Sequence, residues 1–279
     1  MTIAPTHLLA DGNTLPALGL GTYPLTGAEA VSAVSSGLAA GYRLIDSAVN
    51  YGNEDAVGEA VRKTDVPRDE IVVTTKLPGR AHGYESTLAS FQESLDRLGL
   101  ERIDLYLIHW PNPGDDRYVD SWRAMVHLHE QGLARTIGVS NFTEEYLTRL
   151  QSETGVLPAV NQIELHPYFP QLALLEFHEV HNIRTESWSP LGKGSDLLTS
   201  PVIVDAARAH GVTEAQVVLR WHVQLGSVPL PKSADPARQI ENLEVFGFDL
   251  SPAEMEAITL LGRPDGRLFG ADPVTHNEQ

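Results

Sequence analysis

Arg43-Leu44-Ile45-Asp46-Ser47-Ala48-Val49-Asn50-Tyr51 is a short apolar run that ends in a carboxylate and delivers a tyrosine into a loop. Gly52 follows, and Asn53 before Glu54 and Asp55 is a helix-start signal, so the stretch reads as strand, loop, helix. The same grammar recurs downstream. Ile71-Val72-Val73-Thr74-Thr75 ends in Lys76, and Leu105-Tyr106-Leu107-Ile108 ends in His109. Successive strands that each end in an ionisable group, with helices between them, point to a parallel sheet with its chemistry at the carboxyl edge.

Working outward from this core, the alternation never breaks. Before it, a hairpin over about 6–15 turns at Asp11-Gly12, a pair that tolerates positive φ, and would act as a lid or plug. A short strand at 18–21 and a helix to about residue 40, opened by the capping spacing Thr26-Gly27-Ala28-Glu29, complete the first unit. After it come strands at 71–76, 103–109, 134–139, 160–164, 183–188 and 228–230. Helices at 53–62, 85–98, 118–131, 143–151 and 171–181 separate them. Two helical stretches, 201–210 and 213–225, precede the last strand, Asp235-Pro236 caps the eighth barrel helix, and Ser251-Pro252-Ala253-Glu254 opens one more. Eight strand-helix units close most naturally into an α/β (β/α)8 TIM barrel, here with an N-terminal hairpin and two extra helices, as one domain over residues 1–279. The segment from 262 to 279, rich in Gly, Pro and Asp, reads as a loop.

The composition narrows the partners. The 279 residues are 42% hydrophobic and carry a formal charge of −17 with no run of Lys or Arg, which argues against nucleic acid or an anionic membrane surface. The absence of cysteine excludes disulfides and thiolate chemistry. No signal peptide and no membrane-length apolar stretch is present, so a cytoplasmic protein is the default expectation.

In such barrels the active site lies at the carboxyl ends of the strands. The residues there are Asp46 with Tyr51, Lys76, His109 with Trp110, Ser140-Asn141, Gln162, Trp188-Ser189-Pro190-Leu191-Gly192 and Lys232-Ser233. Taken singly, a strand-end Asp or a histidine after an apolar run is ordinary structure, but several at one rim make a site. Their chemistry is proton donation: an ammonium beside a phenol stabilises the phenolate, Asp46 would keep Lys76 charged, and His109 could bond the phenol or a substrate oxygen. That suits an oxygen becoming negative, as a carbonyl oxygen does on receiving hydride. Lys232, Ser233 and Arg238, close to a helix start in an acidic chain, form a candidate phosphomonoester site. Other motifs fail: Gly19-Leu20-Gly21 lacks the third glycine of a dinucleotide fingerprint, and Gly192-Lys193-Gly194-Ser195 is no P-loop. His178 and His181 could hold a metal but read more simply as a solvated helix face, so no metal site is expected.

With these residues in view, the chain resembles the aldo-keto reductase family over nearly its whole length, closest to the bacterial 2,5-diketo-D-gluconate reductase-like branch. The resemblance rests on Asp46 to Gly52, Thr75-Lys76-Leu77, Leu107 to Pro111, Gly138 to Phe142, Asn161 to Glu164, and Pro231-Lys232-Ser233 through Arg238 to Glu241-Asn242. It implies NADPH-dependent reduction of an aldehyde or ketone, with Tyr51 as the acid, Lys76 lowering its pKa, Asp46 pairing Lys76, and His109 orienting the carbonyl. It implies Ser140, Asn141 and Gln162 on the nicotinamide carboxamide, Trp188 stacked on the ring, and Ser189, Leu191 and Gly192 along the pyrophosphate. Lys232, Ser233, Ala234 and Arg238 would hold the 2′-phosphate, and Glu241 and Asn242 would approach the adenine. Thr22, Tyr23, Trp110 and Phe269 would wall a pocket for a small-molecule carbonyl, a keto sugar or dicarbonyl among the candidates, in a monomer. Pro78-Gly79 departs from the pattern, since much of the family has a bulky aromatic there. Two other readings stay open: a nicotinamide-binding sensor with slow turnover, and a lyase forming a Schiff base through Lys76.

Overall fold

In the computed structural model, which describes residues 3–278, a hairpin of β1 (Thr6–Leu8) and β2 (Thr14–Pro16) comes first. Parallel strands β3 (Leu20–Gly21), β4 (Leu44–Asp46), β5 (Val72–Leu77) and β6 (Ile103–Ile108) follow. They continue through β7 (Ala134–Ser140), β8 (Val160–Glu164), β9 (Arg184–Trp188) and β10 (Val228–Pro229), each bonded to its neighbour in chain order. The connecting helices are α1 (Gly27–Ala40), α2 (Glu54–Lys63), α3 (Tyr84–Leu98), α4 (Tyr118–Glu130), α5 (Glu144–Thr154) and α6 (Leu172–Val180). Between β9 and β10 run α7 (Pro201–His210) and α8 (Glu214–Gln224), and α9 (Pro236–Leu243) and α10 (Pro252–Thr259) close the series. The extra helices expected from the sequence are α7 and α10.

The ladder closes on itself. Gly19 and Gly21 donate their N–H groups to Pro229 O and Pro231 O at 3.1 Å each, and Gly21 bridges to Lys232 in parallel register. A Cβ at position 21 would lie 2.9 Å from Leu230 O, so glycine is what lets β3 approach β10. Side chains alternate across each strand. One set, Leu44, Leu105, Leu107, Val160, Val228 and Leu230, fills the barrel together with Leu9 and Leu15 of the hairpin. The other set, including Ile45, Val73, Tyr106 and Val139, packs outward in the main core with the helices. The hairpin is therefore a plug at the amino ends of the strands, where Asn13 Nδ2 donates to Arg135 O at 3.0 Å and Thr136 Oγ1 at 3.2 Å. With one end plugged by leucine, the opposite end is the one left for polar groups.

Three local expectations change. The capping boxes at Thr213 and Ser251 form in full, but the one at Thr26 does not, because Gly27 opens α1 at φ +51 and its geometry is lost. Asn53 precedes α2 without capping it: its side chain bonds Ser47 Oγ at 2.6 Å, Thr22 Oγ1 at 3.0 Å and Leu25 O at 2.8 Å, tying two rim loops together. His178 is not on a solvated face but fully buried, 2.9 Å from Asn161 Nδ2 and 2.8 Å from Thr185 Oγ1. Burial lowers its pKa to about 3, and no cluster of metal-ligating side chains exists among the described residues. No helix among them is long and apolar enough to cross a membrane.

Candidate active site

Asp46 is the last residue of β4, and Tyr51 ends the 3-10 turn Val49–Tyr51 that follows it. Lys76 points inward from β5 and is completely buried. Its Nζ donates to both Asp46 oxygens at 2.7 and 2.8 Å and to Ser47 O at 2.8 Å, and it lies 3.4 Å from Tyr51 Oη. His109, held by its N–H to Leu77 O, sets its ring edge-on to Tyr51 with centroids 5.8 Å apart. The four residues singled out in the sequence are one contiguous group.

Their electrostatics sharpen the picture and correct one expectation. Burial works against the charge on Lys76, but Asp46 and the Tyr51 oxygen outweigh it and hold its pKa above the ordinary value. Lys76 does pull the Tyr51 pKa down, yet burial, with help from Asp46, pushes harder, so the net shift is upward. Tyr51 in this state holds its proton across the neutral range; it is an acid only toward a base as strong as a forming alkoxide.

Tyr51 and His109 face a cleft of about 730 Å³, floored by Asp46 and lined also by Ser140, Asn141, Gln162, Trp188, Ser189, Leu191 and Lys232. Its polar wall is prearranged. Asn141, left-handed at φ +64, donates to His109 O and Ser140 Oγ at 3.0 Å each and accepts the Trp188 indole N–H at 2.8 Å. Ser140 donates to Gln162 O at 2.8 Å, and Gln162 Nε2 bridges Asp46 Oδ1 and Glu186 Oε2 at 2.9 Å each. Of the expected pocket walls, Tyr23, Trp110 and Phe269 line the cleft. Thr22 does not. It is 1% exposed, and its hydroxyl is spent on Asp46 O at 2.8 Å and on Asn53.

The other end of the cleft is open. Lys232, which lines it, and Arg238, which does not, are exposed and make no ion pair among the described residues, and Ala234 is exposed between them in sequence, also off the lining. Ser233 is buried, its Oγ bonded to Asp235, which caps α9 through Ala237 N–H at 2.9 Å. Gly192 lies behind the lining, turned at φ +62 with its N–H on Ser189 O. Glu241 and Asn242 do not line the cleft: Thr213 holds the Glu241 carboxylate at 2.8 Å, and Asn242 is buried against Tyr42.

Comparison with known proteins agrees with this geometry. The profile described as "Aldo/keto reductase family" matches residues 17–262. The chain is 58% identical over 274 residues to 2,5-diketo-D-gluconic acid reductase B of Corynebacterium sp. (strain SHS752001), covering 98% of both chains. The chain belongs to the aldo/keto reductase family. Two solved structures make the same point. A crystal structure of an aldo/keto reductase from Brucella melitensis is 49% identical, with a TM-score of 0.89 over 92% of this chain and 99% of that one. A crystal structure of a Gox0644 mutant in complex with NADPH is 47% identical, with a TM-score of 0.93 over 98% of each chain.

This aldo/keto reductase is accordingly an NADPH-dependent oxidoreductase that reduces carbonyl groups. The residues present fit the cofactor: two unpaired cations near the start of a helix suit a phosphomonoester, and amides prearranged at the inner end suit a carboxamide.

Sequence reasoning missed three contributors. Glu186, inside the barrel beneath Gln162, went unremarked within the strand expected at 183–188, although a carboxylate in a strand interior is itself a signal. Lys193 stands over the Tyr23 and Phe269 rings at 5.1 and 5.7 Å, a contact between three distant loops. Glu278, from the segment after α10, meets His109, and no sequence pattern announces that return.

Proposed function

We propose that Tyr51 protonates the oxygen of an aldehyde or ketone held against it by His109, and that the carbonyl is that of a keto sugar or small dicarbonyl. The observation that carries the reading is the buried ammonium of Lys76, fixed by both Asp46 oxygens and 3.4 Å from the Tyr51 hydroxyl at the cleft floor. NADPH supplies the hydride when bound. As the carbonyl oxygen gains charge, Tyr51 passes its proton to it, Lys76 stabilises the phenolate left behind, and Asp46 keeps Lys76 charged and aimed. Asn141, Ser140 and Gln162 hold the carboxamide, Trp188 covers the ring, and Ser189, Leu191 and Gly192 follow the pyrophosphate. Lys232, Ser233, Ala234 and Arg238 take the 2′-phosphate, with Glu241 and Asn242 toward the adenine once their present partners yield.

The substrate class is supported by the relative named for 2,5-diketo-D-gluconic acid and by a pocket walled with Tyr23, Trp110 and Phe269. The whole chain would act as one barrel unit, a monomer in the cytoplasm that binds neither nucleic acid nor membrane, in keeping with its charge of −17. A Schiff base at Lys76 is opposed by the pairing that keeps the amine charged.

The test is NADPH consumption with small aldehydes, diketones and keto sugars, for wild type and Tyr51→Phe. The variant should lose a factor of about 10² to 10⁴ in kcat with NADPH binding intact. Equal rates would remove Tyr51 as the acid. Tight NADPH binding by wild type with no carbonyl reduced would favour the sensor.

A further inference from the structure

After α10 the chain returns across the rim. His276 packs on Trp110 with ring centroids 4.3 Å apart, and Asn277 Oδ1 accepts from Gly114 N–H at 2.8 Å. Asn112, buried and left-handed at φ +48, pairs with the backbone of Glu278 in both directions: Nδ2 donates to Glu278 O at 2.7 Å, and Oδ1 accepts Glu278 N–H at 3.0 Å. These contacts deliver the Glu278 side chain inward. One oxygen lies 2.6 Å from His109 Nδ1 and accepts from Asn50 Nδ2 at 2.7 Å; the other accepts Gly79 N–H at 2.9 Å. Burial works against this carboxylate, but the His109 ring beside it and the bonds from Gly79 and Asn50 prevail and hold its pKa below the usual 4.5.

The slot depends on Gly79. A Cβ there would stand 2.1 Å from Asn112 Nδ2 and 2.5 Å from Glu278 O, so any side chain would force Asn112 and the tail out of their present places. The Pro78-Gly79 pair, which departs from the aromatic expected at this place, is what makes room for Glu278. His109 Nδ1 is wholly buried on this side and meets Glu278 at ion-pair distance without an aligned hydrogen bond, while the ring lines the cleft on the other. Nε2 is then the nitrogen offered to a ligand.

We propose that Glu278 is a positioning residue for the reduction: its carboxylate pairs with Nδ1 of a His109 ring protonated on both nitrogens, fixes the ring, and so lets the Nε2–H donate to the substrate oxygen. A carboxylate on the far nitrogen of a working histidine fixes its orientation and stabilises the imidazolium, as in hydrolytic triads. The inference rests on His109 acting on the carbonyl, as proposed above.

The test is a set of variants assayed with NADPH and a carbonyl the wild type reduces. Glu278→Ala should lower kcat by about ten- to a hundredfold with the NADPH Kd unchanged, by comparison with partners that orient metal-bound histidines. Glu278→Gln, whose amide oxygen can face the same ring nitrogen but whose NH2 then meets the Gly79 N–H, should recover part of that loss, and Gly79→Ala should reproduce Glu278→Ala. In a His109→Ala background, Glu278→Ala should add nothing. Equal losses in both backgrounds, no rescue by glutamine, or a gain in activity on removing the carboxylate would each overturn the proposal. Should wild type reduce no carbonyl at all, the functional reading fails separately. Glu278 is then judged by nitrogen NMR of His109: a slowly exchanging Nδ1 proton, lost in Glu278→Ala, upholds the contact, and its absence in wild type refutes it.

Discussion

The two ends of the cleft are built on opposite principles. At the inner end Asp46, Lys76 and Gln162 are at most 5% exposed and bonded to one another. At the outer end Lys232 stands exposed, as does Arg238 on α9 beyond the lining, and neither has an ion-pair partner among the described residues. The inner charges come from strand ends, where backbone register fixes them to within a hydrogen bond. The outer ones come from a loop and a short helix. Charges that must act on a reacting atom are paid for by mutual pairing inside the protein, whereas charges that only grip a phosphate can wait in water and be paired by the ligand. Their losses should therefore show in different measurements.

The largest effect is expected at the inner end. Lys76→Met removes one partner of a buried pair and strands Asp46, so it should destabilise the fold by about 3–5 kcal/mol and also abolish the reductase activity. Urea unfolding measures the first and NADPH consumption the second. Unfolding unchanged to within about 0.5 kcal/mol would mean the pair is no more than a surface-like contact, and the contrast between the two ends would collapse.

Lys232→Ala with Arg238→Ala should do the reverse. Folding should be unaltered, while each lost charge-assisted bond costs about 1.5–3 kcal/mol of NADPH affinity, a tenfold or greater rise in Kd apiece. Binding of NADH, which lacks the 2′-phosphate, should scarcely change, and the NADPH affinity of wild type should weaken with salt more steeply than that of the double variant. Equal losses for both cofactors would place the 2′-phosphate elsewhere.

What could be read in the sequence follows the same division. Asp46, Lys76 and His109 were legible because an apolar run fixes a strand, and its last residue is then fixed in space. Tyr51 was legible as the aromatic of the loop that one such strand feeds. Thr22 was misjudged because its hydroxyl direction depends on Asn53, thirty-one residues on, and Asn53 looked like an ordinary cap. His178 was misjudged because a helix's buried face can admit a histidine when Asn161 and Thr185 satisfy both nitrogens. Glu278 was beyond reach, since its partner His109 is joined to it only by tertiary docking through Asn112.

Glu186 offers the finest test of the inner end, read as a change of stability with pH rather than as a loss. It shares Gln162 with Asp46, and burial, reinforced by the Asp46 charge, pushes its pKa up to about 8 from an ordinary 4.5. At neutral pH it is therefore mainly protonated, and Asp46 is left as the single carboxylate balancing Lys76. Stability follows with a definite sign. Below pH 4.5 both folded and unfolded chains hold the Glu186 proton; above it the unfolded chain loses the proton first, so stability falls with rising pH until the folded group also ionises near pH 8. Glu186→Gln abolishes that decline without removing the Gln162 partner. The variant should match wild type near pH 5 and exceed it by at least about 1 kcal/mol near pH 9, since each unit of displacement corresponds to about 1.4 kcal/mol. A stability difference that is the same at both pH values would mean that Glu186 is ionised in the fold, and that the inner end carries two negative charges against one ammonium.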